Sequence, residues 1–239
     1  MRLGRKLVLC ASIALALLAG RTAAADDLEK VLDRLNAAAK NFRSTTADFQ
    51  FDSIQTDPVF DDTVQKGTVY YERTGSGFQM AAHVNEVFSK DEQGKEGKKR
   101  PVSQVYGYFG GKFQLFDKNT DQLTISKKFD KYQGYLELGF GASGADLAKK
   151  WDIKYLGSEM LDGVKTEKLE LIAKDPDVRK NLTRAVIWID PDRAVSLKQI
   201  LYFGSSEYRV AVYFNIGINH LPAGAFSLAT DSKTQVNNQ

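Results

Sequence analysis

The sequence predicts a mainly β protein: one antiparallel meander of about eleven short strands, preceded by an amphipathic helix and interrupted by a single helical insertion. Three observations carry this. Apolar runs rich in Val, Ile, Tyr and Phe follow one another at short intervals, with turn residues between them. Helical periodicity is confined to two pieces of the chain. Several strands are apolar on both faces, which an antiparallel sheet requires only where helices, a second sheet or an enclosed apolar space covers each side.

Residues 1–25 read as a secretory signal peptide rather than as fold. Arg2, Arg5 and Lys6 precede an apolar run from Leu7 to Leu18 that is too short to span a bilayer comfortably, and Ala23-Ala24-Ala25 offers a cleavage site. Cys10, the chain's single cysteine, lies inside that run, so a mature chain of residues 26–239 has neither disulfide nor thiol chemistry. Burial alone must hold it, and its length suits one β-rich domain. The 33 basic residues fall to 29 once Arg2, Arg5, Lys6 and Arg21 are discounted, against 30 acidic ones. That balance gives no reason to expect nucleic-acid binding.

Leu28, Val31, Leu32, Leu35, Ala38, Ala39 and Phe42 recur at helical spacing, with Asp26 or Asp27 as N-cap. Strand signals then cover residues 46–54, 66–73, 78–88, 103–109, 113–116 and 122–126, and later 151–158, 165–173, 183–190, 196–203 and 208–218. Turns fall at Thr74-Gly75-Ser76-Gly77, Gly110-Gly111, Leu161-Asp162-Gly163, Asp190-Pro191-Asp192 and Gly204-Ser205-Ser206. The meander breaks once, between Lys127 and Lys150, where Tyr132, Tyr135, Leu136, Leu138, Phe140 and Leu147 make a connection too apolar for disorder. Ser143 is placed to cap a helix over residues 145–150. In the last strand Tyr208, Val210, Val212, Phe214, Ile216 and Ile218 form one stripe opposite Arg209, Ala211, Tyr213 and Asn215.

Motifs for catalysis are lacking. Gly139-Phe140-Gly141-Ala142-Ser143-Gly144 fits G-x-G-x-x-G, but the fingerprint needs a parallel βαβ unit, so these glycines read as a flexible hinge. His83 and His220 are far apart and lack metal-ligand spacing; no G-x-S-x-G elbow occurs, and the Asp61-Asp62 pair sits in a polar, turn-like stretch. The mixed charges of residues 90–101 read as a solvated hairpin tip, and the Asn181-Leu182-Thr183 sequon as chance. A non-enzyme without cofactor or metal is expected.

The order of motifs resembles the periplasmic outer-membrane lipoprotein carrier (LolA-like) family across nearly all of the mature chain. "GTVYYERTGSGFQM" is similar to that family's second-strand motif, with Arg73 at the arginine that contacts the lid and Thr74 where a proline is usual. "FDKNTDQLTI" resembles a Tyr-Asp-Pro … Gln-Val-Thr-Val hairpin, "IWIDPDRAVSLKQILYF" a later hairpin matching at Trp188, Asp190, Pro191 and Gln199, and "LPAGAFSL" a closing strand with Phe226. The resemblance implies an incomplete, strongly curved antiparallel β-barrel with a helical lid, and a cavity that receives lipoprotein acyl chains.

On this reading Tyr71, Phe78, Met80, Leu115, Trp188, Val210, Val212 and Phe214 are the cavity residues. Leu136, Leu138, Phe140 and Leu147 belong to a lid over residues 127–150 that opens at little cost, and Arg73 tethers it. The resemblance also implies an inner-membrane release complex and an outer-membrane acceptor as partners, with a monomer in transit through the periplasm. A lipid-sensing regulatory module on the same fold and a carrier of another apolar lipid stay open as alternatives.

Overall fold

The computed structural model describes residues 26–75, 77–126 and 137–238. The signal-peptide reading of residues 1–25, and Leu136 with the first part of the insertion, lie outside the described residues. A helix, α1, covers residues 26–41. The strands follow as β1 (Ser44–Gln55), β2 (Asp61–Thr74), β3 (Gly77–Lys90), β4 (Arg100–Phe109), β5 (Lys112–Asp117) and β6 (Gln122–Ser126). After a 3-10 turn (Glu137–Gly139) and α2 (Gly144–Lys150) come β7 (Trp151–Leu161), β8 (Val164–Ala173), the short α3 (Pro176–Arg179), β9 (Arg184–Asp190), β10 (Val195–Tyr202), β11 (Glu207–Ile218) and β12 (Gln235–Asn238).

The twelve strands among the described residues belong to one curved, open sheet in the order β12-β6-β5-β4-β3-β2-β1-β11-β10-β9-β8-β7. Two meanders are joined where β1 meets β11, and among the described residues β7 and β12 remain as unpaired edges. This is the incomplete, strongly curved antiparallel barrel that the sequence leads one to expect, with one parallel pair added at β12–β6. Pro222 brings no N–H to a ladder and Gly224 turns at φ 78, so "LPAGAFSL" forms turns rather than the expected closing strand. Phe226 instead packs edge-on against Phe109, with ring centroids 6.3 Å apart, and the Ala225 carbonyl lies 3.0 Å from His83 Nε2.

The inner face, the one that carries α1, holds two cores. Val31 and Leu35 of α1 pack against Leu169, Leu171, Ile187, Ile189 and Leu201. Beyond the helix end, Phe42 joins Phe49, Val69, Tyr71, Phe78, Val84 and Tyr108. The 3-10 turn and α2 bridge the two, Leu138 and Leu147 entering the first core and Phe140 the second. Ser143 caps α2 as expected, its hydroxyl accepting from the Asp146 N–H at 3.0 Å. The G-x-G-x-x-G stretch is close-packed rather than a hinge: a Cβ on Gly144 would lie 2.2 Å from the Leu32 carbonyl oxygen, and Gly141, at φ 71, abuts the Phe42 ring. On the outer face the charged loop after β3 is solvent-exposed over residues 91–101, as expected, and it folds back on β3, with Gly97 N–H donating to the Ser89 carbonyl at 2.8 Å and Lys99 stacking on buried Phe88.

An apolar cavity on the inner face

Between the two cores and the open end of the sheet, the described residues leave part of the inner face unfilled. The cavity measures about 770 Å³, within the roughly 300–1,000 Å³ typical of small-molecule sites. Its wall is built by register. Phe49 faces Tyr213 across β1–β11, Met80 and Ala82 face Tyr108 and Tyr106 across β3–β4, and Tyr108 faces Phe113 across β4–β5. Phe51, Val69, Val84, Leu201 and Phe203 complete the apolar lining. Ser53, Gln65 and Gln199 are the uncharged polar side chains in the wall, while Lys180, Asn181, Glu207 and Arg209 stand where the cavity meets solvent. Burial pushes the Tyr213 phenol well above its ordinary pKa, so that ring stays neutral at any physiological pH.

Of the residues expected to line the cavity, Met80 does so. Tyr71 and Phe78 lie beside it in a stacked ladder, Tyr71 on Phe78 at 5.3 Å and Phe78 on Tyr108 at 4.9 Å. Leu115 is opposite Tyr106 on the same face but outside the wall itself. Val210, Val212 and Phe214 point the other way. Arg209, Ala211 and Tyr213 take the inner face, and Phe214 is 42% exposed.

The physical reason is a β-bulge. Asp48 pairs with Phe214 but Thr46 pairs with Gly217, so Ala47 opposes two residues, and Asn215 adopts φ 52 to make the step. The apolar stripe therefore changes face at Asn215, with only Ile216 and Ile218 reaching the second core. Trp188 is also an outer-face residue. Its indole N–H donates to Glu159 at 2.7 Å, and Lys168 and Lys198 sit 4.5 and 4.8 Å from its ring.

Leu138, Phe140 and Leu147, expected in a lid, are at most 2% exposed and absent from the cavity wall. Arg73, in β2, donates through Nη1 to the Ala39 carbonyl at 2.7 Å and the Phe42 carbonyl at 3.4 Å, and through Nη2 to the Gly141 carbonyl. One side chain thus ties the end of α1 and the insertion to the sheet.

Sequence reasoning missed Phe49, Phe51, Val69, Phe113 and Gln199 as wall residues. The alternation in "DFQF" was the available signal for Phe49 and Phe51, because both oppose the polar parity of Asp48, Gln50 and Asp52. Gln199 carried no apolar signal at all.

No protein-family model matches the chain, and no curated protein is similar to it in sequence. Solved structures do align with it. An uncharacterized conserved protein from Thermus thermophilus aligns at TM-score 0.50 with 10% identity, over 88% of this chain and 98% of that one. A chain of the Pseudomonas aeruginosa MucA/MucB complex aligns at 0.42 with 16% identity, over 88% and 63%. The LolA superfamily protein NE2245 from Nitrosomonas europaea aligns at 0.36 with 12% identity, over 83% and 96%. Solved LolA superfamily chains are thus among its matches. At these identities the likeness is one of fold.

Proposed function

We propose that the protein is a periplasmic carrier that shelters acyl chains of a lipoprotein or another lipid in the inner-face cavity during transit between membranes. The observation that carries this reading is the cavity itself: an apolar volume of about 770 Å³, left open among the described residues beside two packed cores. Moving a methylene out of water into such a space is favourable by roughly 0.8 kcal/mol, so binding requires neither covalent chemistry nor a cofactor. Charged residues at the rim keep the entrance wet while the wall stays apolar. The signal-like residues 1–25 support export, and the motif resemblance supports an inner-membrane donor and an outer-membrane acceptor. The single domain of residues 26–239 would travel as a monomer.

A fluorescent fatty-acid probe should brighten on binding and be displaced by a diacylated lipopeptide. Met80→Lys places a charge in the wall and should weaken binding at least tenfold, whereas Val212→Lys, on the outer face, should leave it nearly unchanged. Failure of the folded wild-type protein, checked by circular dichroism, to bind probe or lipopeptide would sink the carrier reading.

A further inference from the structure

One cation at the mouth of the cavity holds most of its hydrogen-bond donors in reserve. Arg209, in β11, pairs with Ser53 of β1 on one side and Leu201 of β10 on the other, and all three residues line the cavity. Its guanidinium stacks on Phe203, the central carbon 4.4 Å from the ring centroid. Stacking occupies a face of the planar group and leaves its edge, where the N–H donors point, open to an acceptor. The acceptor that Arg209 meets among the described residues is Glu207, two residues earlier in the strand, at 3.4 Å. That pair is loose, its side chains 38% and 50% exposed, and ion pairs of this kind contribute little. Lys180 lines the cavity too, but its side chain is 73% exposed and its charge is engaged by Asp177 at 2.7 Å. The remaining wall residues are uncharged, so two cations stand against one carboxylate in the lining.

We infer that Arg209 binds the oxyanion head of an amphiphile, a carboxylate or a phosphate, whose acyl chain lies against the apolar wall, so that the cavity prefers anionic lipids to neutral ones. This rests on the carrier reading and narrows its cargo. The two halves of such a ligand need different surroundings. An anion taken into the apolar interior loses its hydration with nothing to replace it, whereas at the half-buried Arg209 it keeps part of its water and gains a cation. A guanidinium fork matches the paired oxygens of either head group, and the bonds are charge-assisted. Phe49, Phe51, Met80, Tyr108 and Phe113 of the same cavity supply apolar surface for the chain. Glu207 competes for the fork and repels an incoming anion, so a bound head group displaces it from Arg209.

Three lipids of equal chain length test this: myristate, myristoyl lysophosphatidate and the neutral 1-monomyristoylglycerol. Each displaces the uncharged fluorophore N-phenyl-1-naphthylamine from the full-length mature protein, with inorganic phosphate as the head group alone. Each anionic lipid should bind about tenfold more tightly than the monoglyceride, a difference equivalent to about 1.4 kcal/mol, and added salt should narrow the gap. Inorganic phosphate should displace nothing at the concentrations at which the lysophosphatidate acts. Arg209→Gln should lower both anions to the level of the monoglyceride, and Arg209→Lys should do so in part. Glu207→Gln, which removes the competing carboxylate, should tighten both anions about threefold. Arg184→Gln makes the same charge change on the outer face, where Arg184 bonds to Glu170 at 3.3 Å, and should leave the preference intact. A preference for only one of the two anions, lost in Arg209→Gln, would sustain the inference and name the head group. Equal binding of anions and monoglyceride by the wild type, a preference that survives in Arg209→Gln, or displacement by inorganic phosphate as effective as by the lysophosphatidate would each overturn it and leave the carrier reading standing. If Arg209→Gln fails to fold, unchanged or weaker anion binding in Glu207→Gln overturns it as well. Absence of binding by all three lipids, in a protein shown to be folded, would remove both.

Discussion

At the scale of single residues, Arg73 shows how much one side chain can organise. The last carbonyls of a helix have no partner within it, and a cation near them also complements the helix dipole. Arg73 answers this at Ala39 and Phe42, and its second terminal nitrogen reaches Gly141 across the gap to the insertion. The guanidinium also lies 5.6 Å from the Phe42 ring centroid. A planar fork can serve divergent carbonyls in this way; an ammonium on a flexible stem serves fewer. Arg73→Leu leaves buried carbonyls unsatisfied and should lower unfolding stability by roughly 2–3 kcal/mol, read from urea denaturation. Arg73→Lys should recover only part of that. The motif "YYERTG" made the residue visible in the sequence. Its double role did not show there, because the two backbone segments it joins are 102 residues apart, from Ala39 to Gly141, and neither carries a side-chain signal for the contact.

At the scale of elements, strand positions were legible and strand faces only partly so. Alternation located eleven of the twelve strands, since apolar runs bounded by Gly, Pro and Asp survive any choice of face. A face assignment depends on register, and one extra residue inverts it. In β11 the stripe from Tyr208 to Ile218 looked continuous because the residue that breaks it, Asn215, fitted the polar parity. The structure uses it instead as the left-handed residue of a bulge, with its side chain donating to Asp48 at 2.8 Å. Asparagine tolerates that backbone region and glycine prefers it, while a β-branched residue is strongly disfavoured. Asn215→Gly should therefore shift stability by only a few tenths of a kcal/mol and Asn215→Val should lower it by about 1–3 kcal/mol, compared by denaturation midpoints. Equal effects would mean that the side-chain bond to Asp48, rather than the backbone, sets the step. The tail after β11 was misread for a related reason. "LPAGAFSL" has strand-like aromatic and apolar content, but Pro222 and Gly224 make it turn, and the edge strand forms later, in the polar Gln235–Asn238.

At the scale of the molecule, the second part of the insertion is structural and the rim of the cavity is not. The family resemblance suggests a lid that opens at little cost, yet residues 138–150 are bound on several sides. Gly141 N–H donates to the Ala194 carbonyl at 2.7 Å, Ala145 N–H to Asn36 at 2.9 Å, and Ser196 Oγ to the Leu138 carbonyl at 3.3 Å, while Leu138, Phe140 and Leu147 complete both cores. Opening such a segment exposes apolar area that nothing else covers, so its local unfolding should approach the global one. The rim is built differently. The short α3 is closed by the Asp175 cap and has no buried residue, and Lys180 and Asn181 after it are exposed. Across the entrance, the turn between β10 and β11 passes through Gly204 at φ 152. Amide hydrogen exchange of the empty protein should therefore find residues 140–150 as slow as the central strands, and residues 177–181 and 204–207 fast. Bound lipid should slow the rim and leave the insertion unchanged. Fast exchange at Gly141 and Leu147 in the empty protein, slowed by lipid, would reverse the assignment and return the gate to the insertion.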